Sequence, residues 1–346
     1  MDTRLSYDNT QGIYLLNGLR VLILKRGSLE IIQNSISKIL GLATKTILEE
    51  AIATAFYSFF SDLKKNKSLR QGGEDRVFEE ISYLINDMGL GRIRIVSKDT
   101  ASQLVNLENG FNSGLNELKS VNSCFQADGL LEAMYRMAYK RDAKADEVRC
   151  KSVGNSDIDQ FSVKILEEKQ QFTYIESESA YTKQENTENI ELTRIGSIVK
   201  LNGLDSEIIP AVLFPYLFSK LRRLIGPGVY GIERETGFQI AKHYAMYDMN
   251  ALNEKYGLSD FEALSPMIGA GKINSTKNED GTLKELDIYD SFNALYADDL
   301  EEKRCSLLLG LLSGISFRLL NVYLTFTESD CSSINNQFCR IVLATK

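Results

Sequence analysis

Histidine, the side chain that most often carries acid–base chemistry near neutral pH, occurs once in this sequence, as His243. No Walker-type phosphate loop and no Gly-x-Ser-x-Gly elbow is present, so the usual nucleotide and acyl-transfer signatures are missing. Prolines number only four in 346 residues, which argues against long proline-rich tracts. Long apolar runs are also lacking. The longest, Ser306 to Leu320, is fifteen residues and is broken by Gly310, Ser313, Gly314, Ser316 and Arg318. It is too short and too interrupted to span a bilayer. Basic residues show no excess: the net charge is -7, and no helix presents a basic face, which weighs against direct nucleic-acid binding. Met1 is followed by a polar stretch unlike a secretory signal, so a cytoplasmic location is expected. In that compartment thiols stay reduced, and the five cysteines read as metal ligands or small buried side chains.

What the sequence does contain is a repeat. Leu16-Asn17-Gly18-Leu19 recurs as Leu201-Asn202-Gly203-Leu204, an offset of 185. The same offset carries Ile39-Leu40-Gly41 onto Leu224-Ile225-Gly226, Ile47 onto Ile232 and Glu50 onto Glu235. At an offset of 180, Gly89-Leu90-Gly91-Arg92-Ile93 matches Gly269-Ala270-Gly271-Lys272-Ile273. At 181, Cys124, Glu147 and Cys150 fall on Cys305, Glu328 and Cys331. Ordered blocks with a slowly drifting offset indicate a duplication. A first domain over residues 1–167 and a second over 195–346 are expected, with residues 168–194, polar and poor in aliphatics, as a linker or exposed excursion.

Each copy reads in the same order. A short strand (residues 13–24; 195–201) precedes two amphipathic helices (29–40 and 44–63; 206–224 and 229–249), where apolar residues recur at three and four. A third helix (76–88; 251–264) and a Gly-x-Gly turn follow, then alternating strand patterns such as Arg92 to Val96. A last helix (128–139; 303–317) leads into closing strands, residues 321–326 and 338–344 in copy two. Helices grouped ahead of strand pairs predict an α+β class, each repeat a helical layer packed on an antiparallel sheet.

All five cysteines lie in the closing region. In copy two, Cys305 begins a helix, Glu328 and Cys331 end one strand, and Cys339 begins the next. A hairpin can gather the last three while the helix start supplies the fourth. Three thiolates and a carboxylate complete a tetrahedral zinc set, and soft sulfur excludes magnesium or calcium. With every position taken by protein the ion would be structural. Four negative ligand charges also call for nearby donors, Arg340 or backbone amides among them. Copy one keeps Cys124, Glu147 and Cys150, but eight residues after Cys150 stands Ile158. Asp157 and Asp159 flank it, and an alternative alignment puts Ser162 opposite Cys339, so the fourth ligand there stays open.

The closing sequence Glu328-Ser-Asp-Cys331-Ser-Ser-Ile-Asn-Asn-Gln-Phe-Cys339, after a leucine- and glycine-rich helix, resembles the 4-vinyl-reductase domain family. With Cys305 upstream it is similar to the zinc-binding version in sensory domains of aromatic-responsive bacterial regulators. Gly226-Pro-Gly-Val-Tyr-Gly-Ile-Glu-Arg-Glu-Thr-Gly237 resembles that family's glycine-punctuated second helix. The resemblance implies a fold shared with TRAPP vesicle-tethering subunits and haem nitric-oxide sensors. It also implies binding of a small hydrophobic or aromatic molecule, or service as a dimerising adaptor acting through a protein partner. Within the tandem chain the repeats would pair as an intramolecular pseudo-dimer, or two chains as a homodimer. Phe238, His243 and Tyr244 in copy two, with Phe56 and Phe59 in copy one, lie on helices that would wall a cavity between helices and sheet. Core packing is the plainer role for each. His243 is replaced by Ser58 at its counterpart, so the repeat does not keep it. A sensor and a structural adaptor are the two expected functions, and neither requires catalysis.

Overall fold

The computed structural model describes residues 3–70, 72–99, 102–110, 125–150, 158–166, 187–190, 193–195, 198–201, 204–243, 261–262, 264–294, 305–331 and 338–344. Leu16-Asn17-Gly18-Leu19 is a hairpin turn. Strands β1 (Leu5–Asp8), β2 (Ile13–Leu16) and β3 (Leu19–Lys25) run antiparallel, with Leu16 opposite Leu19. Between these two, Asn17 and Gly18 have φ of 52° and 82°. A two-residue type I′ turn needs two positive φ angles, and Asn-Gly supplies them. The single strand expected over residues 13–24 is therefore two.

Copy two repeats the hairpin in β10 (Ile198–Leu201) and β11 (Leu204–Pro210), with Leu201 opposite Leu204. The helix expected from residue 206 begins instead at Leu213. Residues 206–210 are all buried in β11, on both faces, and strands of that kind lose the alternation that distinguishes them from helix. Short strands β8 (Thr187–Asn189) and β9 (Thr193–Ile195) pair with β1 and β10. The end of the polar stretch is thus part of the sheet.

The helices obey the repeat. Copy one has α1 (Ser28–Leu40), α2 (Ala43–Lys65), α3 (Glu74–Asp87) and α4 (Phe125–Tyr139). Copy two has α5 (Leu213–Ile225), α6 (Val229–His243), α7 (Leu264–Ile268) and α8 (Ser306–Leu320). Most of the third helix expected in copy two, over 251–264, lies outside the described residues. Strands β4 (Arg92–Lys98), β5 (Ser102–Glu108), β6 (Ala143–Arg149) and β7 (Ile158–Ile165) form a sheet ordered β4-β5-β7-β6. Strands β12 (Lys272–Lys277), β13 (Leu283–Tyr289), β14 (Phe326–Asp330) and β15 (Phe338–Leu343) form its twin, ordered β12-β13-β15-β14. The first closing strand of copy two starts where it was expected to end. Its N-terminal neighbours 321–325 are the turn out of α8, with Asn321 in the left-handed region at φ 52°.

The two hairpins share one seven-stranded sheet, β8-β1-β2-β3-β11-β10-β9. At its centre β3 pairs with β11, and Ile23 stands opposite its own counterpart Ile208, so a local two-fold passes between them. Each hairpin also packs on the other copy. Tyr14 donates its hydroxyl to the carbonyl of Pro266, within α7, at 2.5 Å, while the Ile208 amide donates to the Met88 carbonyl at 2.8 Å, at the end of α3. The exchange is symmetric in detail. Gly89 lies against Ser206 and Val199, and its counterpart Gly269 against Val21 and Tyr14, which are those residues' own counterparts. Across the same axis the Gly27 amide donates to Glu207 at 3.0 Å. Burial pushes that fully enclosed carboxyl up to about 7. Helix α1 packs on α6 and α2 on α5, closing a four-helix bundle over the joint.

Within each copy the second helix crosses the last at van der Waals contact of backbones. A Cβ on Gly310 of α8 would stand 2.1 Å from the Arg234 carbonyl oxygen, and one on Gly129 of α4 would stand 2.3 Å from that of Glu49. Arg234 and Glu49 are again counterparts. Gly310→Ala is expected to force α6 and α8 apart and cost about 1–3 kcal/mol, as overpacking does. Urea denaturation measures this, and an unchanged midpoint would show that the crossing yields without cost.

Candidate metal centre

The second sheet and α8 converge on one point. Cys305 is the N-cap of α8 and is fully buried. On β14, Glu328 precedes a bulge between Glu328 and Asp330, a distortion that re-aims side chains at a strand end. Cys331 follows directly after the strand, and Cys339 lies on β15 opposite Ile288. Cys331 and Cys339 are 3% and 0% exposed. One ligand atom from each of Cys305, Glu328, Cys331 and Cys339 lies within 4.8 Å of all the others. Cys305 Sγ and Cys339 Sγ are 2.9 Å apart, and neither is in a disulfide.

The donor set fits zinc. Three sulfurs and one oxygen, from a helix start and two adjacent strands, match a closed four-ligand site. The charges would suit a cation there. Contact with Cys331 and Cys339, with burial added, pushes the Cys305 thiol well above its ordinary range. Burial and the neighbouring Cys331 push the Glu328 carboxyl up to about 8. Four groups this close cannot all ionise without a positive partner. The Cys305 amide donates to Glu328 Oε2 at 3.2 Å, so the carboxylate also satisfies an orphan N–H at the helix start.

Arg340 does not serve the site. It follows Cys339 on the strand and so projects to the other face, where it makes a two-pronged pair with Asp287 at 2.8 and 2.9 Å and stacks on Phe338. The donor that faces the carboxylate is the Cys305 backbone amide.

In the first sheet, ligand atoms of Glu147, Cys150 and Asp159 gather within the same 4.8 Å limit. Cys124 lies outside the described residues, as does Asp157. Ser162 does not take the place of Cys339: it stands opposite Leu104, three positions along the strand from Asp159.

The residues expected to wall a cavity have the following surroundings. Phe56 and Phe59 are enclosed in the core, both against Phe60. Phe238 is half-buried against Phe317 and the exposed Tyr323. Tyr244 lies outside the described residues. His243 closes α6 at the joint between the copies, its Nε2 3.1 Å from the Arg26 carbonyl, while Lys25 donates to the His243 carbonyl at 3.0 Å. Burial holds its pKa below the usual value.

Sequence reasoning also missed a buried ionic group of copy one. Asp128 and Glu132, one turn apart on α4, face Lys45 and Lys144 respectively, at 3.7 and 3.2 Å. Burial pushes the two carboxyls up to about 7 and about 8. A signal existed, since acidic residues interrupt an otherwise apolar helix. Open to solvent is a groove of about 810 Å³ between α3 and β4, lined in part by Phe78, Tyr83, Arg92 and Arg94.

No protein-family model matches the chain, and no curated protein matches it. Among solved structures it is similar to the crystal structure of the phenol-responsive sensory domain of the transcription activator PoxR with phenol. Identity is 15% and the TM-score 0.37, over 46% of this chain and 83% of that one. A likeness that weak carries no functional conclusion. Among the described residues, no helix is long and apolar enough to cross a membrane.

Proposed function

We propose that this chain is a non-catalytic regulatory protein of the cytoplasm, a fused pseudo-dimer with structural zinc that binds a small hydrophobic or aromatic molecule and signals through a protein partner. The observation that carries the reading is the closed donor set of Cys305, Glu328, Cys331 and Cys339. It commits this group of thiols and carboxylate to holding a helix start against a hairpin, and leaves no coordination position for a substrate. The small-molecule part rests on the closing motif, Glu328 to Cys339, and its resemblance to the 4-vinyl-reductase domain family.

A structural adaptor is the second reading, and one observation favours it. The α1–α2 and α5–α6 turns lie at one end of the four-helix bundle, where Ile39 and Leu42 are 59% and 95% exposed and Leu224, the counterpart of Ile39, is 63% exposed. Aliphatic side chains displayed at equivalent positions of both copies suit a protein contact.

Native mass spectrometry and thermal shift of the full chain, with a panel of phenols and other small aromatics, separate the readings. A sensor is expected to retain a ligand mass, or to gain about 2.7 kcal/mol at a hundredfold excess over Kd. No retained mass and no shift across the panel would retire the sensor in favour of the adaptor.

A further inference from the structure

The strand registers decide which residue of copy one stands where copy two has its last cysteine. On β15, Cys339 is opposite Ile288 of β13. On β7, Asp159 is opposite Leu107 of β5, and Leu107 is the counterpart of Ile288 at the offset of 181 that relates the cysteines. The bulge repeats as well, between Glu147 and Arg149 as between Glu328 and Asp330. Asp159 is 2% exposed, so a carboxylate has been placed in the interior where the twin sheet has a buried thiol. Its ligand oxygen lies within 4.8 Å of a carboxylate oxygen of Glu147 and of Cys150 Sγ.

We propose that the first half carries a second metal site of different character, held by Glu147, Cys150 and Asp159, that exchanges zinc with the medium while the second half retains its own. The proposal rests on the zinc reading of the second half. Its direction follows from the donors. Replacing a soft thiolate by a hard carboxylate weakens the hold on a borderline ion such as zinc. Exposure adds to this: Glu147 and Glu328 are both half-buried, but Cys150 is half-buried where its counterpart Cys331 is buried, which lets water and competing chelators approach. The molecule thereby pairs a permanent staple with a site that fills and empties as zinc availability changes. Cys124 lies outside the described residues, and the three named donors carry the argument.

The test uses the full chain loaded with zinc and challenged with a chromogenic chelator. Two equivalents per chain are expected, released in separate fast and slow phases. Asp159→Asn, which keeps the shape and removes the anionic donor, should lose the fast equivalent alone. Asp159→Cys, which restores the set of copy two, should move that equivalent into the slow phase. One slow equivalent in the wild type, or two that leave together and ignore both substitutions, would overturn the exchangeable site and leave the staple standing. Absence of zinc from both phases would overturn the staple along with it.

Discussion

Cys331→Ser is expected to strip the slowly released zinc and lower the melting temperature by on the order of 10 °C. An ion that binds only the folded chain stabilises it by about 4 kcal/mol at a thousandfold excess over Kd. In a protein with domains of this size each kcal/mol moves the midpoint by roughly 2–4 °C. The plainer role of Cys331 is a small buried side chain, 3% exposed, whose replacement by serine would cost a little and involve no metal. Chelator-treated wild type separates the two, since it should melt with the variant if zinc is the staple. The effect also has a sign in pH. Without the ion, burial and sulfur neighbours keep protons on Cys305 and Glu328, the latter up to about 8, and zinc must displace them. Apparent affinity therefore falls with acid, and the melting curves of wild type and variant should converge as pH drops. A wild type whose melting point ignores the chelator at neutral pH would refute the staple.

That site was legible because its residue types are scarce and their spacing recurs. A glutamate kept at the same distance from two cysteines in both copies has no role in an apolar core, and the fold gathers Cys305, Glu328, Cys331 and Cys339 as that spacing suggests. Other features failed for identifiable reasons. Asn17-Gly18 marks the repeat and is also turn chemistry, which divides the strand expected over residues 13–24 into a hairpin. β11 looked helical because burial on both faces erases alternation. Arg340, one of the donors expected to offset the ligand charge, sits beside Cys339 in sequence, but adjacent strand residues face opposite ways and it pairs with Asp287 instead. Asp159 and Ser162 could be separated only by register, which depends on the neighbouring strand β5. Phe56 and Phe59 share a helix spacing that suits a cavity wall and a filled core equally, and the core has them. The exchange of hairpins leaves no local trace at all, because a strand's sequence does not say whether its partner belongs to the same copy.

The exchange carries the other large expected effect: residues 1–167 made alone should not persist as a folded monomer. In the full chain Val21, Leu22, Ile23 and Leu24 of β3 are at most 2% exposed, and the strand's outer edge is paired with β11. Each such side chain is worth about 1.5–3 kcal/mol when fully buried. Uncovering even half of that surface removes several kcal/mol from a total that is commonly about 5–15. The same cut takes Ile208 and Ser206 away from the end of α3, and leaves Tyr14 without the Pro266 carbonyl. An open edge of aliphatic residues will seek another strand. Since Ile23 already faces its own counterpart, the readiest partner is a second first half, paired β3 to β3 about the same local axis. Size-exclusion chromatography with light scattering should therefore find dimer or aggregate, and co-expression with residues 187–346 should restore a one-to-one complex with the size of the intact chain. A dispersed, cooperatively melting monomer of residues 1–167 at micromolar concentration would mean that the shared sheet joins two finished domains instead of completing them.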